Sequence, residues 1–236
     1  SSIITGDSTY TSESTSINFT ITENESAPTV TLTSSASSIA ENAGSSLTLT
    51  ATLSVATTAN VTVGISTSGT GTEGTDYGTV SDITITAGQT TGTATFTPTD
   101  DSVYEGQVET GIIAIDTVTG GSATENGTQS VTLTITENES APTVTLTSSA
   151  SSIAENAGSS LTLTATLSVA TTANVSVALS TSGTGTEGSG GDYATISDIT
   201  ISAGSTTGTA TFTPTDDSTF EGDETAIIDI DSVSGG

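Results

Sequence analysis

Two short stretches of the chain are crowded with carboxylates. TPTDDSTFEGDE at 213–224 holds five, and the related TPTDDSVYEGQVE lies at 97–109. The chain has 27 Asp and Glu residues but no Lys, Arg or His, so no basic side chain can neutralise them. Like charges a few ångströms apart repel unless a counter-charge intervenes. Carboxylates without nitrogen or sulfur donors are ligands suited to Ca²⁺, so both stretches are candidate calcium loops.

The alternative interpretation is that these acids form a solvated surface screened by salt. A net charge of −27 with only 31% hydrophobic residues would suit a protein of seawater or brine. The acids are nevertheless concentrated in two loops of each repeat described below, and this concentration favours bound calcium.

The missing residue types exclude several classes of function. Without Lys or Arg the chain has no means of clamping phosphates, so we expect no binding of nucleic acid. It has no Cys for disulfides or thiolate chemistry and no His as a general base. No apolar run approaches the roughly 20 residues of a membrane span, so no direct membrane insertion is expected. Carboxylate pairs can hydrolyse glycosides, but with no Trp and 3% aromatics we expect no enzyme.

The chain consists of a long repeat. Residues 21–74 and 135–188 differ at only three positions, and the similarity resumes at 91–102 and 207–218 after a two-residue insertion. One period is about 114 residues, which is the size of a whole domain rather than of a solenoid unit.

The repeats are cyclically shifted within the chain. Residues 14–30 correspond to 128–144, so 8–25 resemble the last strand of a preceding repeat, whereas Gly236 corresponds to Gly121. We therefore divide the chain into 1–27 (that strand plus a linker, a possible donor strand), 28–141 (repeat one) and 142–236 (repeat two, lacking its final strand). The arrangement fits a window on a covalent tandem array, and it also fits subunits that donate this strand to the next molecule.

Alternating apolar residues predict strands within each repeat. In 47–55, Leu and Ala alternate with Thr and Ser, which is the two-residue period of a half-buried strand. Similar alternation predicts strands around 30–32, 61–65, 83–85, 94–96, 113–115 and 131–135. About seven short strands in some 110 residues predict an all-β fold of tandem Ig-like, Greek-key β-sandwich domains.

The motifs between the strands resemble those of the Calx-beta domain family. In order they are ENAG at 41–44, GTGTEGTDY at 69–77, AGQT at 87–90, DDSVYEGQVE at 100–109 and TENE at 136–139. Repeat two has EN at 155–156, GTGTEGSGGDY at 183–193 and DDSTFEGDE at 216–224. The closing segment is Glu-Asn-Glu where the family is usually rich in Asp, and Gln107 stands where repeat two has Asp223.

The resemblance implies Ca²⁺ bound at one end of each sandwich. Carried over position by position, the ligands of repeat one are Glu41, Asp76, Asp100, Asp101, Glu105, Glu109, Glu137 and Glu139. Those of repeat two are Glu155, Asp192, Asp216, Asp217, Glu221 and Glu224. Glu23 and Glu25 would complete the site of the domain before repeat one.

These observations favour a secreted or cell-surface structural protein, an adhesin stalk or filament stiffened by Ca²⁺. Its expected partners are neighbouring copies of the same repeat, in the same chain or in the next subunit. A calcium-sensing or ligand-binding module is the alternative function. Glycans are a further expectation at six N-x-S/T sequons, namely Asn18, Asn24, Asn60, Asn126, Asn138 and Asn174.

Overall fold

The chain folds into two consecutive β-sandwiches. A computed structural model describes residues 16–106 and 108–236. The described residues form seventeen strands and no helix. A helix long and apolar enough to cross a membrane is accordingly not found among them. This architecture confirms the predicted all-β class of tandem sandwich domains.

Repeat one contains ten strands, several of them very short. They are β1 (Thr29–Ser34), β2 (Ser38–Ala40), β3 (Leu47–Leu53), β4 (Val61–Gly69), β5 (Ile83–Ile85), β6 (Thr91–Phe96), β7 (Val103–Tyr104), β8 (Glu109–Thr119), β9 (Thr124–Glu125) and β10 (Ser130–Thr136). All seven predicted strands are present. The short strands β2, β7 and β9 were not predicted, because none of them shows the alternation of apolar and polar residues.

Two sheets enclose the core of repeat one. The first has the order β6-β3-β1-β9 and the second the order β2-β10-β8-β4-β5. Strand β3 shows why the alternation matters, since Leu47, Leu49, Ala51 and Leu53 are all buried while the Thr residues between them are more exposed. The apolar side chains of both sheets meet between the layers, so the pattern read along each strand becomes one shared core.

Repeat two has the same plan with fewer strands. They are β11 (Val144–Ser148), β12 (Leu161–Leu167), β13 (Ala170–Thr171), β14 (Val175–Gly183), β15 (Ile199–Ile201), β16 (Thr207–Phe212) and β17 (Ala226–Gly235). Its sheets have the orders β11-β12-β16 and β15-β14-β17. Strand β17 corresponds to β8 but pairs with β14 alone, whereas β8 pairs with both β4 and β10.

The predicted strand at 8–25 is only partly described. Residues 1–15 lie outside the described residues. Residues 16–28 form no strand and, up to residue 27, are exposed. Whether this segment belongs to a preceding repeat therefore stays a prediction.

Candidate metal centre

Asp76 lies in a tight loop, directly before a buried aromatic residue that packs in the core. The backbone N–H of Thr72 donates to Asp76 Oδ2 at 2.6 Å. The next residue, Tyr77, is 1% exposed and packs on Phe96 with ring centroids 4.6 Å apart. Tyr77 is thus a packing residue that fixes the position of the aspartate.

Repeat two builds the same loop despite its two extra residues. Thr186 donates to Asp192 Oδ2 from its backbone N–H at 2.6 Å and from its hydroxyl at 2.9 Å. Tyr193 packs on Phe212 at a centroid distance of 4.9 Å. The insertion of Gly190 and Gly191 is absorbed within the turn.

Glu41 is the most buried acid of repeat one. It follows β2, is 6% exposed, and its backbone N–H donates to the carbonyl of Thr136 at the end of β10. Its Oε1 accepts from the backbone N–H of Asp101 at 2.9 Å. Glu41 therefore joins the end of β10 to the acidic loop after β6.

The segment TENE at 136–139, which follows β10, also contacts the acidic loop. Glu105 lies between β7 and β8, and its backbone N–H donates to Glu137 Oε2 at 2.8 Å. Glu137 Oε1 accepts from the backbone N–H groups of Asn138 and Glu139, both at 3.0 Å. The linker that follows β10 is thereby folded back onto the acidic loop.

Two carboxylate clusters result in repeat one, and they share a residue. Glu41, Glu105 and Glu137 form the first, and Asp76, Glu105 and Glu109 the second, each with one carboxylate oxygen per residue lying within 4.8 Å of the others. We call these the inner and outer clusters. Because Glu105 belongs to both, one side chain can bridge two cations.

Repeat two has an outer cluster only, within the part of the chain that the structure describes. It consists of Asp192, Glu221 and Glu224, each with one carboxylate oxygen within 4.8 Å of those of the other two. Glu155, the counterpart of Glu41, is exposed and accepts from the backbone N–H of Asp217 at 2.8 Å. No described residue takes the place of Glu137, so the inner cluster has no third carboxylate.

Eight of the sixteen predicted ligands belong to these clusters, and eight do not. Asp101 and Asp217 use their side chains to accept backbone N–H groups of their own loops, at 2.7 and 2.6 Å. Glu139 lies beside Glu137, and Asp100 and Asp216 are exposed. Glu23 and Glu25 are exposed and outside all three clusters. Glu155 also lies outside the clusters, and the ligand role of all sixteen residues stays a prediction.

Crowding raises the pKa of the central carboxyls. The pKa values of Glu105 and Glu109 rise from the ordinary 4.5 to about 7, first because of burial and then because neighbouring carboxylates repel the charged form. The pKa of Glu139 also rises to about 7, chiefly because of its hydrogen bond with the Glu137 side chain. In repeat two, burial and the charge of Asp192 raise the pKa values of Glu221 and Glu224.

Calcium-depleted protein should be less stable at alkaline than at mildly acidic pH. Glu105 and Glu109 have folded-state pKa values near 7, above the unfolded value near 4.5, so the folded state binds more protons in that window. The contribution of these two carboxyls to the free energy of unfolding is therefore fully present below pH 4.5 and is lost as the pH rises through about 7. Urea unfolding in chelator at several pH values measures this trend, and a stability that rises with pH would contradict it.

The donor set fits calcium. Glu109 Oε2 and Glu139 Oε2 are buried carboxylate oxygens without a hydrogen-bond partner. A buried charged oxygen without a partner is costly, and a cation is the only counter-charge open to a chain without basic side chains. Hard oxygen ligands match Ca²⁺, so these clusters can hold it. The ion would supply positive charge and fixed coordination to otherwise repelling carboxylates.

The acidic loop of repeat one also contacts repeat two, which the sequence did not predict. Strand β7 pairs in parallel with β13, so that Val103 lies opposite Ala170 and Tyr104 opposite Thr171. Thr171 is fully buried there, whereas the identical position in repeat one, Thr57, is half-buried. Glu105, shared by both clusters, directly follows this inter-repeat pair.

The comparison with protein families agrees with the tandem organisation. Residues 23–139 and 137–236 each match the Calx-beta domain family. A comparison with curated protein sequences found no match. Among solved structures, the apo form of the Calx CBD1 domain is 17% identical with a TM-score of 0.40, covering 47% of this chain and 99% of its own. CBD12 from CALX1.2 is 19% identical with a TM-score of 0.38, covering 77% and 73%. The calcium binding domain CBD12 of CALX1.1 is 17% identical with a TM-score of 0.40, covering 76% and 74%.

Proposed function

The chain belongs to the Calx-beta family, and on that premise we propose that it is a non-enzymatic, secreted or cell-surface structural protein whose repeats form a stalk or filament. Ca²⁺ bound at the ends of the domains neutralises the acidic loops and stiffens the joints between repeats. The repeats are joined to their neighbours covalently in a tandem array or by an exchanged strand.

The pairing of β7 with β13 carries this proposal. Tyr104 and Thr171 hold the two repeats together through backbone groups, and Glu105 is the very next residue after Tyr104. A cation held by Glu105 restrains the backbone that makes the contact between repeats. Without the cation, repulsion between Glu105 and its carboxylate neighbours loosens the same loop.

The linker supports a restrained joint. Glu137 binds the backbone of Glu105, so the chain leaving repeat one is fastened to the acidic loop before it enters β11. Pro142 further restricts the backbone dihedrals of this connection. A spacer benefits from such a joint because its reach depends on the angle between consecutive domains.

The same contact also suits the alternative, a calcium-sensing module in a surface protein. The loop that gathers the carboxylates is the loop that contacts the next repeat, so gain or loss of the ion would change the relation between the repeats. The two functions differ in assembly. Electron microscopy of native material should show long beaded fibres for the structural role and isolated particles for the sensor.

Small-angle X-ray scattering with calcium and with chelator tests the stiffening. We expect calcium to narrow the distribution of intramolecular distances, because the ion fixes the loop before β8 and so restrains the angle between the two repeats. The variant Glu105→Gln should lose most of this narrowing. Glu221→Gln makes the same change in the cluster of repeat two, which lies outside the β7–β13 contact, and should retain it. Identical scattering with and without calcium would overturn the proposed stiffening.

A further inference from the structure

Residues 124–129 cover the outer edge of strand β1 in the first sheet of repeat one. Strand β9 pairs with β1, and just beyond it the backbone N–H of Asn126 donates to the carbonyl of Val30 at 3.0 Å. The side chain of Gln129 continues this cover, because its Oε1 accepts from the backbone N–H of Leu32 at 3.4 Å. An uncovered edge would present free main-chain groups to other chains, so the cover protects β1.

The turn that follows β9 is held in place by Gln129. Its backbone N–H donates to Glu125 Oε1, and its Nε2 donates to the carbonyl of Asn126 at 2.7 Å. Gly127 lies within this turn at a φ of +67°, in the left-handed region that glycine adopts without strain. A Cβ at Gly127 would have no other atom within 4 Å, so the turn projects into solvent.

Asn126 is the one asparagine of the chain that precedes a glycine. Because glycine has no Cβ, the backbone nitrogen of Gly127 is sterically open to the side chain before it. Both residues are exposed, and among the described residues no hydrogen bond engages the N–H of Gly127 or the side-chain amide of Asn126. Asn60 differs on both counts, since it precedes a valine and its Oδ1 accepts from the backbone N–H of Ala87 at 2.9 Å.

We propose that Asn126 is a site of self-modification, at which the chain deamidates with water as the only co-reactant. The backbone nitrogen of Gly127 attacks Asn126 Cγ, the Cγ–Nδ2 bond breaks, and Nδ2 leaves as ammonia with the proton that the Gly127 nitrogen has lost. The product is a five-membered succinimide. Water then adds to one of the two ring carbonyls and breaks its bond to the Gly127 nitrogen, which regains a proton. Opening at Cγ gives aspartate, and opening at the backbone carbonyl gives isoaspartate.

Isoaspartate at position 126 loosens the cover of β1. The main chain then runs through Cβ and Cγ and is one atom longer, while the former backbone carbonyl becomes a free carboxylate. This carboxylate follows Glu125 directly in a chain without a basic side chain, so the two negative charges repel each other. The longer turn also moves Gln129 away from Leu32. Aspartate at the same position adds the charge but leaves the main chain unchanged.

Mass spectrometry of peptic peptides from protein aged in mildly alkaline buffer tests the site, because base favours loss of the Gly127 proton. We expect oxygen to replace an NH group at Asn126, and protein isoaspartate methyltransferase to label the same peptide. Asn42 is also exposed but precedes an alanine, and it should stay unchanged over the same time. Gly127→Asn keeps a residue that tolerates the left-handed conformation but shields the nitrogen, so it should slow the conversion several-fold.

Hydrogen exchange tests the effect on the edge. In aged protein the amides of residue 126 and Leu32 should lose their protection, whereas the amide of Leu49 in the central strand β3 should keep it. Freshly prepared Asn126→Asp carries the charge on an unaltered main chain and should keep protection at all three positions. Equal exchange in aged protein and in fresh Asn126→Asp would overturn the loosening. An Asn126 that converts no faster than Asn42, or that carries a sugar on Nδ2, would overturn the site itself.

Discussion

Calcium should raise the melting temperature of the chelated protein substantially. The folded chain gathers three carboxylate clusters that the unfolded chain disperses, so the ion binds the folded state preferentially. One site at a hundredfold excess over its Kd stabilises by about 2.7 kcal/mol, which corresponds to roughly 10–20 °C for a domain of this size. Differential scanning calorimetry in chelator and then in calcium measures the shift.

Sodium chloride and magnesium are the controls, which distinguish calcium binding at the clusters from general screening of the negative charges. Sodium chloride at equal ionic strength weakens the repulsion among all 27 acids but has no preference for three-carboxylate clusters. Magnesium prefers a near-ideal octahedron and keeps its water, so its shift should be smaller than that of calcium. If sodium chloride reproduced the whole calcium shift, the acids would act as a screened surface and the site hypothesis would fail.

Glu105→Gln should have opposite effects with and without calcium. In chelator the substitution removes a crowded charge whose pKa is raised to about 7, so the protein should become more stable at pH 8. In calcium the same substitution removes a ligand shared by the inner and outer clusters. The loss of a site at a hundredfold excess over its Kd costs roughly 3 kcal/mol of stability.

Asp116→Asn is the matched control. This substitution changes the net charge by the same amount as Glu105→Gln. Asp116 is exposed on β8 and lies roughly 20 Å along the strand from Glu109. Its effect should be small and of the same sign in both conditions. Urea unfolding of each variant in chelator and in calcium gives the four free energies. If Glu105→Gln changed the free energy of unfolding in the same way as Asp116→Asn, Glu105 would not be a ligand of the metal centre.

The strands could be predicted because burial is imposed at every second residue. In β3 the alternation of Leu47, Leu49 and Leu53 with Thr is sufficient to identify the strand and its inward face. Strand β7, only two residues long, could not be predicted in this way. It exists because another strand of the chain lies beside it.

The candidate ligands could be predicted, but not their grouping. All eight residues of the three clusters were among the predicted ligands, because the order and spacing of the acidic motifs resemble those of the Calx-beta family. The sequence did not show that Glu105 joins two clusters or that Asp101 accepts a hydrogen bond from its own loop. Such grouping depends on ångström-scale positions, which the packing of Tyr77 and the end of β10 determine.

Local sequence determined the repeat, the class of fold and the acidic loops, because these depend on residue type and periodicity alone. The joint between the repeats was decided by the tertiary structure. SVATTAN at 54–60 and at 168–174 is the same heptapeptide, yet only the second copy forms β13 and buries its Thr171 completely. The difference arises because β7 of the other repeat lies against one copy and not the other. No local pattern can encode a contact that depends on the orientation of two separately folded cores.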